Sequence, residues 1–237
     1  MINKKIIKIN NWATRVGTNS FFPLVNISNY LTGHKDAMIE EAVQGHEFLE
    51  RKGYSITAGI VFGSCLNGNF RPEQSDYDVL YITNSENLQD SDSFGGFEKT
   101  YNCTLSDNSL PFTTHEARVV TSRRILCLLD NLHTQITFPN QYCNNPSQTI
   151  SIAISGNWYS ISGYESAFLD SYMIHTLNEG HILYGTLPSE VNAAFKKTSD
   201  KWTRFLKEIR EKYKVDYYTV RIENLTPTRR VSAADLY

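Results

Sequence analysis

The chain has no long apolar run. Its uninterrupted apolar stretches, such as Ala58–Phe62, reach only a few residues, against the roughly 18 to 20 that a membrane helix needs. A segment crossing a bilayer is therefore not expected. The amino terminus, Met1-Ile2-Asn3-Lys4-Lys5-Ile6-Ile7-Lys8-Ile9-Asn10, breaks its apolar pairs with lysine. It lacks the apolar core of a secretory signal, so a cytoplasmic location is expected. Cysteine is sparse: Cys65, Cys103, Cys127 and Cys143 are widely separated, with no CxxC and no Cys/His pair at zinc spacing. Reduced thiols follow as the expectation. An excess of one charge is missing too. Twenty-five acids against 23 Lys and Arg leave a formal net charge of −2, so whole-molecule electrostatics does not draw the chain to nucleic acid or an anionic membrane. Internal repeats and low-complexity linkers are also lacking.

What remains is a chain of 237 residues, 41% apolar, 12% aromatic and 20% charged. This excludes disordered and collagen-like classes and suits one large domain or two small ones sharing a core. Residues 1–33 read as a short strand or an irregular wrapping segment. Met38 to Leu49 carries apolar residues at helical spacing, with Gly53 as a stop signal. Ile56–Phe62 is β-rich and ends at Gly63; Val79–Ile82 is a second such run, and the polar segment Ser64–Ser75 lies between them. Residues 84–98 hold four acids and no Lys or Arg, and read as a surface loop. Strands are expected at 99–104, 112–121, 133–138 and 149–154, with a helix near 122–131. Helices follow at 164–178 and 190–213, then a last strand at 215–222. The chain thus predicts an α+β protein, with residues 1–160 as the sheet-bearing part and 161–237 as a mainly helical part packed on it.

One segment carries chemistry. Ile60-Val61-Phe62-Gly63-Ser64 is followed, after eleven residues, by Asp76-Tyr77-Asp78-Val79-Leu80-Tyr81-Ile82. In an extended strand i and i+2 point to the same side, so Asp76 and Asp78 present two carboxylates together while Tyr77 turns into the fold. Side by side they repel unless a cation sits between them, and hard oxygen ligands suit Mg²⁺ or Mn²⁺ with phosphate oxygens completing the shell. Gly63-Ser64 can bring backbone N–H groups and a hydroxyl close to phosphate, because glycine lets the chain turn with no Cβ in the way.

The whole arrangement resembles the DNA polymerase β-like nucleotidyltransferase superfamily. Its pattern is hG[GS], nine to thirteen residues, then Dh[DE]h, and residues 36–83 fit each specified position. The resemblance implies a twisted mixed sheet flanked by helices, a nucleoside triphosphate bound through Gly63 and Ser64, and two divalent ions held by Asp76 and Asp78. It also implies a third carboxylate on a later strand. Glu116, in Thr114-His115-Glu116-Ala117-Arg118-Val119-Val120 ahead of a helix, is the candidate, and this ordering looks like that of kanamycin-type nucleotidyltransferases. An exposed strand carboxylate paired with Arg118 or Arg123 is the plainer alternative. Leu177–Gly185 is similar to an "EGxxLYG" segment of small superfamily members; a strand added at the sheet edge is expected there, without chemistry. Glu165 and Asp170 on the preceding helix are reserve candidates for a general base.

Charge is unevenly spread. Residues 73–98 hold seven acids and no Lys or Arg, whereas residues 196–214 hold eight Lys and Arg against three acids. Arg71, between the Gly-Ser turn and the aspartates, is a candidate triphosphate contact. The basic helix reads first as a solvated face and second as a contact for triphosphate or RNA. The expected activity is transfer of a nucleoside monophosphate from an NTP to an acceptor hydroxyl with release of pyrophosphate. The acceptor is a small hydroxylated molecule or an RNA or DNA end. The alternative is a catalytically silent nucleotide-binding protein, a sensor or one half of a toxin–antitoxin or defence pair.

Overall fold

The computed structural model describes residues 9–23, 35–67, 75, 77–85, 98–104, 114–136, 151–152, 167–213 and 220–221. Nine strands and five helices, among the described residues, occur in the order β1 (Ile9–Arg15), β2 (Phe21–Pro23), α1 (Lys35–Arg51), β3 (Ile56–Phe62), α2 (Ser64–Asn67), β4 (Tyr77–Thr83), β5 (Glu98–Thr104), β6 (Thr114–Thr121), α3 (Ser122–Ile136), β7 (Ser151–Ile152), α4 (Ala167–Glu179), β8 (His181–Gly185), α5 (Ser189–Tyr213) and β9 (Val220–Arg221). Seven strands form one sheet in the order β2-β1-β8-β3-β4-β6-β5; β7 and β9 pair separately. Only β4 and β6 run parallel in that sheet, so it is mixed and the class is α+β.

The two central strands have buried residues on both faces, as continuous apolar runs require. Alternation sends their side chains to two separate cores. Ile60, Phe62, Leu80, Ile82 and Val120 join Ile125, Leu129, Ile174, Phe195 and Trp202 from α3, α4 and α5. On the other face Val61, Tyr77, Val79, Tyr81 and Val119 meet Met38, Ala42 and Leu49 of α1. Helix α1 places Asp36 in its first turn and Arg51 in its last, which complements the helix dipole. It ends where Gly53 N–H donates to Glu50 O and Tyr54 N–H to Leu49 O. Gly53 has φ +92°, the left-handed conformation of a Schellman stop, which glycine adopts without a Cβ clash.

Two expectations are corrected. Residues 133–136 belong to α3, not to a strand at 133–138. The reason is visible in burial: Ile125, Leu128, Leu129, Leu132 and Ile136 are all buried at helical spacing, so the 3.6-residue period runs on through a stretch that locally alternates. Strand β8 lies inside the sheet between β1 and β3, not at its edge. The acidic loop expected at 84–98 falls almost entirely on residues 86–97, outside the described residues. Among the described residues, Cys65 and Cys127 are in no disulfide. Among the described residues no helix is long and apolar enough to cross a membrane.

Candidate functional site

The end of β3 builds the centre of the site. Gly63 has φ +84°, a conformation that side-chain-bearing residues avoid because Cβ crowds the backbone. Its carbonyl accepts from Leu66 N–H at 3.0 Å, closing the one-turn helix α2 that Ser64 opens. Buried Cys65 reaches back to Phe62 O at 3.1 Å and tightens the same turn.

Asp78 lies beside this turn because β4 pairs antiparallel with β3 and sets Asp78 opposite Phe62. A Cβ on Gly63 would overlap Asp78 Oδ2, so the half-buried carboxylate sits directly against the glycine. On its other side β4 pairs parallel with β6, and the register partner of Asp78 is Glu116. Both positions fall on the face that Phe62, Leu80 and Val120 share with α3, α4 and α5. Two positions further along β6, Arg118 is opposite Leu80 and only 3% exposed. A permanently charged guanidinium is thus buried two residues from Glu116, on the same strand. Tyr77 behaves as its alternation predicts: it is fully buried on the α1 face. Burial raises its hydroxyl well above the ordinary tyrosine range, with Cys65 and Glu41 adding to the rise.

A second carboxylate reaches the turn from the far end of the chain. Glu179, the last residue of α4, accepts the Gly63 N–H through Oε1 at 3.1 Å across 116 positions of sequence. The same oxygen lies 2.9 Å from His175 Nδ1. A carboxylate oxygen only accepts, so the proton is assigned to Nδ1 of His175. The end of α4 is firmly anchored. Arg15 donates to Asn178 O at 2.6 Å, Trp202 Nε1 to Asn178 Oδ1 at 2.5 Å, and Val16 N–H to Gly180 O at 2.9 Å.

His181 closes this corner, its Nδ1 lying 2.6 Å from Glu179 O. Burial pushes its imidazole down to about 4, the carbonyl contact opposing and Arg15 adding to the fall. An unfolded histidine titrates near 6.5, so between those values the unfolded chain binds more protons. Stability from this group is present above about pH 6.5 and lost as the pH falls towards about 4, a loss of about 3 kcal/mol in the acid limit. Urea unfolding of His181→Gln between pH 7 and 4 is expected to lose that part of the acid destabilisation. An acid limb identical to wild type would contradict the assignment.

The structure therefore brings Gly63, Ser64, Asp78 and the Glu116 position together. Asp76, Arg71 and Glu165 lie outside the described residues; for Glu116 and Asp170 the backbone is described and the side chain is not. Among the described residues no three His, Cys, Asp or Glu side chains converge as a metal cage. The positions of Asp78 and Glu116 are level across adjacent strands, and Asp76 stands two residues before Asp78 in the sequence; these are the oxygen-donor residue types that a hard divalent cation takes. Sequence reasoning assigned no chemistry to Glu179 and missed the burial of Arg118. One signal was available for Glu179: an acid at a helix C-terminus opposes the dipole, so something else must favour it.

Fold and site define an α+β protein with a carboxylate-lined glycine turn at the end of a central strand. In comparisons with protein-family models, curated proteins and solved structures, nothing matches this chain.

Proposed function

We propose that the protein is a nucleotidyltransferase of the polymerase β-like type, moving a nucleoside monophosphate from an NTP to an acceptor hydroxyl. One observation carries this reading: Asp78 sits between the Gly63 turn on one side and its register partner Glu116 on the other. A glycine turn and two acidic positions on neighbouring strands are what such a transfer needs in one place. In the reaction the acceptor oxygen bonds to the α-phosphorus, the bond to the α–β bridging oxygen breaks, and pyrophosphate leaves with its electron pair. Acceptor orientation and removal of its proton fall to Glu116, with Glu165 or Asp170 in reserve.

The Gly63 N–H is already engaged by Glu179, so phosphate contact passes to the hydroxyl and N–H of Ser64. Arg71 adds a guanidinium to the triphosphate. Asp76, Asp78 and Glu116 would hold Mg²⁺ or Mn²⁺, two ions in the full reading, and the ions supply charge neutralisation on the triphosphate. The acceptor is a small hydroxylated molecule or an RNA or DNA end.

Glu116→Gln tests this assignment. Turnover with Mg-ATP is expected to fall by about a hundredfold or more, while Mg-ATP binding by calorimetry stays within about threefold. Full turnover in Glu116→Gln would remove the third carboxylate from the site.

A further inference from the structure

We infer that Glu179, backed by His175, is a positioning residue for the nucleotide-binding turn: it holds Gly63 in place from the helical end of the chain. This inference rests on the nucleotidyltransferase reading above. Three observations carry it. First, the geometry is specific. Glu179 Oε1 accepts from Gly63 N–H at 3.1 Å and faces His175 Nδ1 at 2.9 Å, so a single oxygen joins the turn to a side chain one helical turn back. Second, the residue is out of place for a helix end. Carboxylates are disfavoured at the negative end of the dipole, and helix termination needs nothing from Glu179, because Gly180 N–H already returns to Thr176 O. An acid retained against its local preference marks a demand from elsewhere in the fold. Third, the base beneath it is rigid. Arg15 from β1, Val16 just after it and Trp202 from α5 all bond to residues 178–180, so the acceptor oxygen is held before any ligand arrives.

Gly63 is where small displacements matter most. Its Cα faces the Asp78 carboxylate with no room for a Cβ, and Ser64 begins the phosphate-contacting turn directly after it. Holding the Gly63 N–H therefore fixes two things together: the spacing from the turn to Asp78, and the direction of the Ser64 amide. Glu179 itself touches no reacting atom. Losing it should weaken NTP binding and leave the chemical step nearly intact.

The test compares wild type, Glu179→Gln, Glu179→Ala and His175→Ala in two measurements: hydrogen exchange at the Gly63 amide without nucleotide, and KM and kcat for Mg-ATP. Glu179→Ala is expected to speed Gly63 exchange about tenfold and raise KM about tenfold, with kcat within about threefold. Glu179→Gln retains an acceptor oxygen and should keep both within about twofold, and His175→Ala should fall between. Should Glu179→Ala fail to fold, Glu179→Asp, one methylene shorter, carries the same expectation. The inference is overturned by an unchanged KM and unchanged exchange in the truncated variants, or by a Glu179→Gln as impaired as Glu179→Ala. If wild type neither binds nor turns over any NTP, the nucleotidyltransferase reading fails by itself, and the exchange measurement still decides whether Glu179 holds the turn.

Discussion

Replacing Gly63 with alanine is expected to destabilise the protein by at least about 2 kcal/mol and to abolish nucleotidyl transfer. Two costs add. A non-glycine residue at φ +84° carries a conformational penalty of roughly 1–2 kcal/mol, and the new methyl group would overlap Asp78 Oδ2. The carboxylate must then move, which spoils the geometry on which Asp78 depends. Gly53 separates the two costs. It has φ +92°, but nothing lies within 4 Å of the place a methyl group would take, so Gly53→Ala should show the backbone penalty alone, about 1 kcal/mol. Removing the obstacle should recover part of the loss. In urea unfolding, the double variant Gly63→Ala/Asp78→Ala is expected to be more stable than the two single changes summed, because they share one contact. Strict additivity would show that Asp78 does not pack on Gly63.

The second large effect concerns Asp78 alone. Asp78→Ala should reduce transfer by more than the roughly 10–100-fold that losing an outer-shell metal partner costs, since this carboxylate is assigned direct contact with the cation. The fold should survive. Asp78 is half-buried at the margin of the core, whereas its strand neighbours Tyr77, Val79 and Leu80 are almost wholly buried and hold β4 in the sheet. A melting temperature within roughly 4 °C of wild type is expected, equivalent to about 1 kcal/mol at this chain length. Transfer at the wild-type rate in Asp78→Ala would end the metal-ligand reading of Asp78.

Much of the site is legible because its signals are local. The apolar run from Ile56 to Phe62, the glycine that ends it and the Asp-Tyr-Asp alternation are all short-range patterns, and the bounds of β3 and the buried Tyr77 follow from them, whereas β4 begins two residues before the expected Val79. The pairing of Asp78 with Glu116 was reachable only through the family resemblance, since nothing in local periodicity sets the register of two parallel strands. For Glu179 the sequence flags an acid at a helix end but not its partner. Its contact with Gly63 spans 116 positions, and it depends on β8 entering the sheet beside β3, where a short apolar strand gives no clue to its neighbours. The extent of α3 shows local signals in conflict. His133-Thr134-Gln135-Ile136 can pass for an alternating strand, yet burial of Ile136 four residues after Leu132 continues the helical stripe.

The most direct measurement follows label from two positions of the same nucleotide. Each NTP, carrying radiolabel at either the α- or the γ-phosphate, is incubated with the protein and Mg²⁺, with and without total RNA. Nucleotidyl transfer predicts α-label in an acceptor or in the protein itself and γ-label released as pyrophosphate, both lost in Asp78→Ala. γ-Label found on an acceptor or on the protein, or no transfer from any NTP with any acceptor, would contradict nucleotidyl transfer at the Gly63–Asp78 site.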